Sequence, residues 1–157
     1  MRDSTSIWKQ IKRVLIVFPY KDANYFGEFR SALDAVLNDS LVEKLDIVVS
    51  VPSSLKKTEL PTHRLIHFIS PKDFNLFGKL KNDSLGSIIT KKYDALLYFE
   101  DDSKRLGKVL SEMKINYSIG INTPMDIFTI RVFSKGDKPE EMVNFAKNTL
   151  VKLSSNE

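Results

Sequence analysis

The sequence contains no cysteine. That absence removes disulfides, thiolate metal sites and a cysteine nucleophile together, and it suits a reducing compartment. Histidine is nearly as scarce: His63 and His67 are the only two. No apolar run approaches the eighteen or so residues of a membrane span. The run Val14–Phe18 is also too short for the core of a signal peptide. The expectation is a soluble, cytoplasmic protein without membrane insertion. Glycine is sparse as well, and no G-x-G-x-x-G or G-K-[ST] brings a backbone close to a phosphate. No G-x-S-x-G elbow presents a serine nucleophile. The chain has no internal repeat and no low-complexity segment.

What is present describes an ordinary folded domain. A length of 157 residues suits one core, and 42% hydrophobic residues argue against disorder. We read residues 1–157 as a single domain, with a helical lead-in over 1–13 and a frayed tail over 154–157. The net charge is +4 and the isoelectric point about 9.2. The basic groups Lys56–Lys57, Lys79–Lys81, Lys91–Lys92 and Lys104–Arg105–Lys108 are scattered, with no fold motif for nucleic acid among them. They read as solvated surface, so no nucleic-acid partner is expected.

Periodicity sets the order of elements. Ile7, Trp8 and Ile11 share one face of a short helix, which Ser4 or Thr5 can cap. Val14–Phe18 is a strand buried on both sides, ended by Pro19. Phe26, Phe29, Ala32, Leu33, Val36 and Leu37 recur at helical spacing, with Asp22 or Asn24 as cap and Asn38-Asp-Ser40 as stop. Asp46–Val51 is a second strand. Strand, helix and strand make a βαβ unit, hence a parallel sheet. Ser53 can cap one or two turns through Leu60, and Arg64–Ile69 reads as a third strand. Asp73–Lys79 is irregular and holds Phe74, Leu76 and Phe77, which read as a plug on the sheet's end or an interaction patch. A short helix from Asp83 or Ser84 to Thr90 turns Leu85, Ile88 and Ile89 inward. Asp94–Glu100 is the central strand. A helix follows over Ser103–Met113, then a fifth strand, Tyr117–Ile121.

Ile127–Phe133 alternates instead, with Phe128, Ile130 and Val132 on one side and Thr129 and Arg131 on the other. That is an edge strand with one wet face. The gap before it is shorter than the dozen or so residues of a parallel crossover, so it is expected to be antiparallel. Two copies of the chain can pair along such an edge. Pro139 then opens a last helix, with Glu140 and Glu141 at its positive end and Met142, Val143, Phe145, Ala146, Leu150 and Leu153 inward. The fold class is α/β: a three-layer α/β/α sandwich on a mostly parallel, Rossmann-like sheet.

Candidate sites gather where strands end. Glu100, Asp101 and Asp102 follow the central strand. Asp101, Asp102 and Ser103 suit the cap and dipole of the next helix; three carboxylates also suit a sugar hydroxyl or Mg²⁺. Lys21 and Asp22 sit in the first strand-to-helix loop, where an anion meets a helix N-terminus in nucleotide-binding folds. Asn122 and Thr123 close the fifth strand. These seven residues are the candidate ligand set. His63 and His67 are four apart, about 13 Å on a strand, too far to share an ion. No metal, cofactor or catalytic residue is assigned.

The central block carries one resemblance. Lys92-Tyr-Asp-Ala-Leu-Leu-Tyr98, a helix, and then Tyr117-Ser-Ile-Gly-Ile121 resemble the N-terminal Rossmann-like half of heptosyltransferase-type glycosyltransferases, and small uncharacterised bacterial domains of that half-fold. The layout is similar over Val14–Asn122, the residues only in those two blocks. The glycine-aspartate pair that the family carries after its first strand is replaced here by Tyr20-Lys-Asp. The family binds its nucleotide-sugar donor in a C-terminal half, and this chain ends before one. The resemblance therefore implies a stand-alone half-fold without that donor site. The functional expectation is a non-catalytic module for a small ligand or protein partner. The alternative is a small nucleotide- or sugar-binding enzyme working at the carboxyl ends of the strands.

Overall fold

A computed structural model of the chain describes residues 6–38, 40–60, 65–77, 79–81, 85–101 and 103–153. The expected tail over 154–157, His63, Asp102 and the caps proposed at Ser4, Thr5, Asp83 and Ser84 lie outside these residues. Six strands form one sheet: β1 (Arg13–Pro19), β2 (Lys44–Ser50), β3 (Ile66–Ile69), β4 (Tyr93–Phe99), β5 (Ile115–Ile121) and β6 (Ile130–Val132). Their spatial order is β3-β2-β1-β4-β5-β6, and every pairing is parallel.

The apolar runs are the centre of the sheet because they are covered on both faces. Val14 through Phe18 of β1 are all buried. Val14, Ile16 and Phe18 face one core, with Ala95, Leu97 and Phe99 of β4. Leu15 and Val17 face the other, with Leu96 and Tyr98. Burying each such aliphatic or aromatic side chain is worth about 1.5–3 kcal/mol.

Helices α1 (Ile7–Gln10), α2 (Ala23–Asn38) and α5 (Pro139–Lys152) cover the first core. The lead-in α1 is held by α5: the Ile7 N–H donates to the Leu153 carbonyl at 2.9 Å, and Lys147 lies over the Trp8 ring. The second core lies under α3 (Gly86–Ile89), α4 (Lys104–Ser111) and two loops. Two inward assignments need correction. Ile89 is exposed, because α3 is a single turn that buries only Leu85 and Ile88. Of the loop apolars, Phe74 plugs the second core, while Leu76 and Phe77 are 95% and 86% exposed. The loop closes on itself through Asn75, whose Oδ1 accepts the N–H groups of Phe77 and Lys79 at 2.8 and 3.0 Å. Its tip therefore points away from the sheet. Ser53 caps nothing there: the segment before Leu60 is one 3₁₀ turn, Lys57–Glu59.

The antiparallel edge strand is the main correction. β6 runs parallel to β5, with Ile119 opposite Ile130 and Ile121 opposite Val132. The rule behind the expectation concerns crossovers that carry a helix. Here β6 is three residues long, so the chain has only about 10 Å of strand to retrace. The segment 122–129 does this as a loop and covers the sheet itself. Met125 and Phe128 pack on the second core. The Phe128 ring lies 4.9 Å from that of Tyr98, and the Thr129 N–H donates to Ser118 Oγ at 2.8 Å.

Gly120 makes room for this. A Cβ there would lie 2.5 Å from Phe128 Cδ2 and 2.9 Å from Thr123 Cγ2. Gly120→Ala should lower stability by about 1–3 kcal/mol through overpacking. Adding Phe128→Ala to it should recover part of that loss, giving a non-additive cycle in urea denaturation. Additive losses would mean that the ring is not the obstacle.

Candidate functional site

In a parallel sheet of this order the winding reverses between β1 and β4. Ligands of such folds settle in the crevice outside the carboxyl ends of the strands at that reversal. Both strands end there in aromatic residues that α2 clamps. Phe18 stacks on Phe29 at 4.2 Å, and Phe99 meets Phe29 edge-on at 5.2 Å.

Glu100 follows β4 with a φ of 54°, a region that non-glycine residues enter at a cost of about 1–3 kcal/mol. Its N–H donates to the Ile121 carbonyl at 2.8 Å, and the next N–H, of Asp101, folds back to the Phe99 carbonyl at 2.5 Å. Such a three-residue turn reverses the chain over one residue. It sends the Glu100 side chain toward α2, where Oε1 accepts from Lys21 Nζ at 3.1 Å and from the Tyr25 hydroxyl. Burial, and then the Glu100 carboxylate, push the Tyr25 phenol far above its ordinary pKa. Asp22 stands beside this group as the cap of α2, its Oδ1 accepting the Tyr25 N–H at 2.7 Å.

Asp101 turns the other way. It is 7% exposed, and its Oδ2 accepts from the Tyr98 hydroxyl at 2.6 Å and the Ser103 N–H at 3.2 Å. Thr123, fully buried, donates from Oγ1 to the Asp101 carbonyl at 2.9 Å. Oδ1 of Asp101 takes no hydrogen bond among the described residues, and none of their enclosed side-chain polar atoms lacks a partner. Oδ1 therefore meets the open space in front of it. That space is a cleft of about 380 Å³ across the ends of β1, β2 and β3, walled by Tyr20, Ser50, Ser70 and Phe74, with Asp101 and Ser103 on the α4 side.

The candidate residues thus divide into two groups and an outlier. Lys21, Glu100 and Asp22 meet around Tyr25; Asp101 lines the cleft, and Thr123 bonds to its carbonyl from behind. Glu100 and Asp101 do not converge, since one reaches α2 and the other the Tyr98 side. Among the described residues no three His, Asp or Glu side chains form a metal-holding group. Capping of α4 falls to Ser103, whose Oγ accepts the Leu106 N–H at 3.3 Å; Asp102 lies outside the described residues. Asn122, also left-handed at φ 55°, ties β5 to the segment after β6 by accepting the Ser134 N–H at 2.7 Å. Sequence reasoning missed Tyr25, Tyr98 and the cleft walls Ser50 and Ser70. Tyr98 left a signal: a hydroxyl inside an otherwise apolar strand needs a buried partner.

A profile of a family of unknown function, DUF6913, matches residues 1–148. The chain belongs to that family. No curated protein and no solved structure matches it. In this DUF6913 member all six strands and every residue of the two groups lie within the matched region. No helix among the described residues is long and apolar enough to cross a membrane.

A third polar group lies toward the other end of the sheet. Asp46 of β2 accepts from the Tyr93 hydroxyl at 2.6 Å and from Lys91 Nζ at 3.1 Å, and His67 Nε2 is 3.9 Å away. His67 lies on β3, as its neighbours imply. Burial lowers its pKa, outweighing the attraction of Asp46. The unfolded chain therefore binds this proton more readily than the folded one. The stability tied to neutral His67 is whole above about pH 6.5 and is lost as pH falls below it. His67→Gln should flatten the loss of melting temperature between about pH 7 and 5; an unchanged slope would assign it to other groups. Glu100→Gln should bring one late-titrating phenol, that of Tyr25, back toward the ordinary tyrosine range in a spectrophotometric titration. An unaltered titration would show that Glu100 does not hold Tyr25.

Proposed function

We propose that this protein is a non-catalytic binding module whose cleft at the carboxyl ends of β1–β3 takes a small molecule rich in hydrogen-bond donors, a sugar, a polyol or an amine. The observation that carries this reading is Asp101. The Asp101 carboxylate is largely buried, with one oxygen committed to Tyr98 and Ser103 and the other open at a cleft that the residue lines. There a donor-bearing ligand can take the place of the water that otherwise solvates it. The walls fit the same class, because Ser50, Ser70, Ser103 and Tyr20 offer hydroxyls around the apolar Phe74 and Pro52. A phosphate fits poorly: among the described residues the cleft lining includes no cation, and the nearby Lys21 is engaged by Glu100.

The enzymatic reading keeps one observation of its own. A strained carboxylate bonded to a lysine and a tyrosine stands at the reversal of the sheet, and strain of this kind gathers at working sites. Steady turnover of whatever compound the cleft binds would move the conclusion there. Pairing of two copies along β6 has less to work with, since that strand offers three residues with the exposed Arg131 in the middle.

The test is a thermal-shift screen with nucleosides, pentoses, hexoses, polyols and amines. A ligand at about a hundred times its Kd adds about 2.7 kcal/mol, a rise of roughly 5–10 °C at this size. Asp101→Asn should abolish the rise. Asp22→Ala should cost about 1 kcal/mol of stability as a lost cap and leave the rise intact. Equal rises in wild type and Asp101→Asn, or rises with anions alone, would overturn the proposal.

A further inference from the structure

The scattered lysines of the sequence are not scattered in the fold. The amino ends of four neighbouring strands each begin with a cation: Lys44 on β2, Arg13 on β1, Lys92 before β4 and Lys114 before β5. The register sets them as two level pairs: Arg13 pairs with Lys44, and Tyr93 pairs with Ile115, placing Lys92 level with Lys114. Val14 pairs with Ala95, so the second pair stands two residues beyond the level of the first. Two clefts of about 540 and 430 Å³ open along this edge. Arg13, Lys92 and Tyr93 line both, so the two clefts share a wall.

Carboxylates are present along the same edge, and most are already engaged. Asp46 is taken by Tyr93 and Lys91. Asp94 Oδ2 accepts the Lys12 and Arg13 N–H groups at 2.8 and 2.9 Å. Glu43 remains as an exposed carboxylate at one end. Among the described residues Arg13, Lys44, Lys92 and Lys114 make no ion pair, and all four are exposed. Lys91 balances Asp46, while Asp94 and Glu43 keep their charges beside the cations, so the four exposed cations leave this edge with a net positive charge.

We infer that the amino edge of the sheet binds a linear chain of phosphates, the backbone of a nucleic acid strand or inorganic polyphosphate. Three strand spacings of about 4.8 Å make a row roughly 14 Å long, enough for several phosphates of one strand at about 3.4 Å each along a helix axis. One phosphate would use only a quarter of the row. Tyr93, the one aromatic among the described residues of these clefts, is buried, so none of those residues offers a ring for stacking a base. Recognition is of the backbone and independent of base sequence.

The experiment is fluorescence anisotropy of the full chain with a labelled oligothymidylate, competed by inorganic polyphosphate and by orthophosphate. The oligonucleotide should bind at about 50 mM salt with a slope of log affinity against log salt of about −2 to −3, given three or four contacts at about 0.7 each. Polyphosphate should displace it and orthophosphate at equal phosphate should not. Whichever of the two chains binds more tightly identifies the source. Lys92→Glu with Lys114→Glu should weaken binding about tenfold or more and flatten the slope by about 1.4. The milder Lys92→Gln/Lys114→Gln serves if the first pair melts low in circular dichroism, with the same flattening expected. A reversal of equal charge at Lys56 and Lys72, near the opposite edge, should leave the slope unchanged. No binding at low salt, a salt-independent affinity, or equal losses from both charge reversals would overturn the inference.

Discussion

Phe29 is the contact on which the site end of this molecule depends. Its ring lies flat against Phe18 at the end of β1 and edge-on to Phe99 at the end of β4. Those are the two strands at which the winding of the sheet reverses. Aromatic pairs of this geometry add about 0.5–1.5 kcal/mol each beyond the area they bury, and here one ring serves both strands. With the strand ends fixed from one side, the chain beyond β4 has little freedom. It turns within one residue at Glu100, in a backbone region that needs surrounding structure to hold it. That turn separates the two carboxylates: Glu100 goes to the α2 side with Lys21 and Tyr25, and Asp101 to the Tyr98 side and the cleft.

The two candidate sites differ in charge. At the reversal of the sheet Lys21 is paired with Glu100, and Asp101 keeps one oxygen open. At the amino edge Asp46 is paired with Lys91, and Arg13, Lys44, Lys92 and Lys114 form no ion pair among the described residues. The net charge of +4 hides this division. Lysines at the amino edge also follow the C-terminal ends of helices, where they complement the macrodipole. That accounts for Lys114 after α4 but not for Arg13, which follows the single turn of α1.

Most of the fold was legible because the interior strands obey one rule. A run such as Val14–Phe18 is apolar throughout only if both faces are covered, and the amphipathic stripes of α2 and α5 declare what covers them. Asp22 as the cap of α2 was legible for the same reason: its role is local. What escaped was non-local or depended on length. The direction of β6 could not follow from a crossover rule written for helices, since Gly120 and Phe128 let a loop do that work. Tyr25 and Glu100 are far apart in the chain, and no spacing rule joins them. The lysine row is the plainest case. Lys44, Arg13, Lys92 and Lys114 are dispersed in sequence and adjacent only because the strand order places β2, β1, β4 and β5 together. Asp101 looked like a cap, since a cap and a buried carboxylate present the same residue type at the same offset from a helix; only the position of Tyr98 and Ser103 separates them.

β4 joins both ends, with Tyr93 at the amino edge and Glu100 just past the carboxyl edge. Its seven residues span roughly 20 Å at about 3.3 Å each. The screening length at physiological salt is about 8 Å, so charges at one edge act weakly at the other across solvent. Between them lies a close-packed strand, Ala95 through Phe99 all being enclosed, whose buried polar contact, Tyr98 with Asp101, lies at the carboxyl end. A packed apolar strand transmits displacement, not charge, and a phosphate chain neutralising surface cations displaces little. Under both proposals, occupancy of the amino edge should therefore leave the affinity of the Asp101 cleft nearly unchanged.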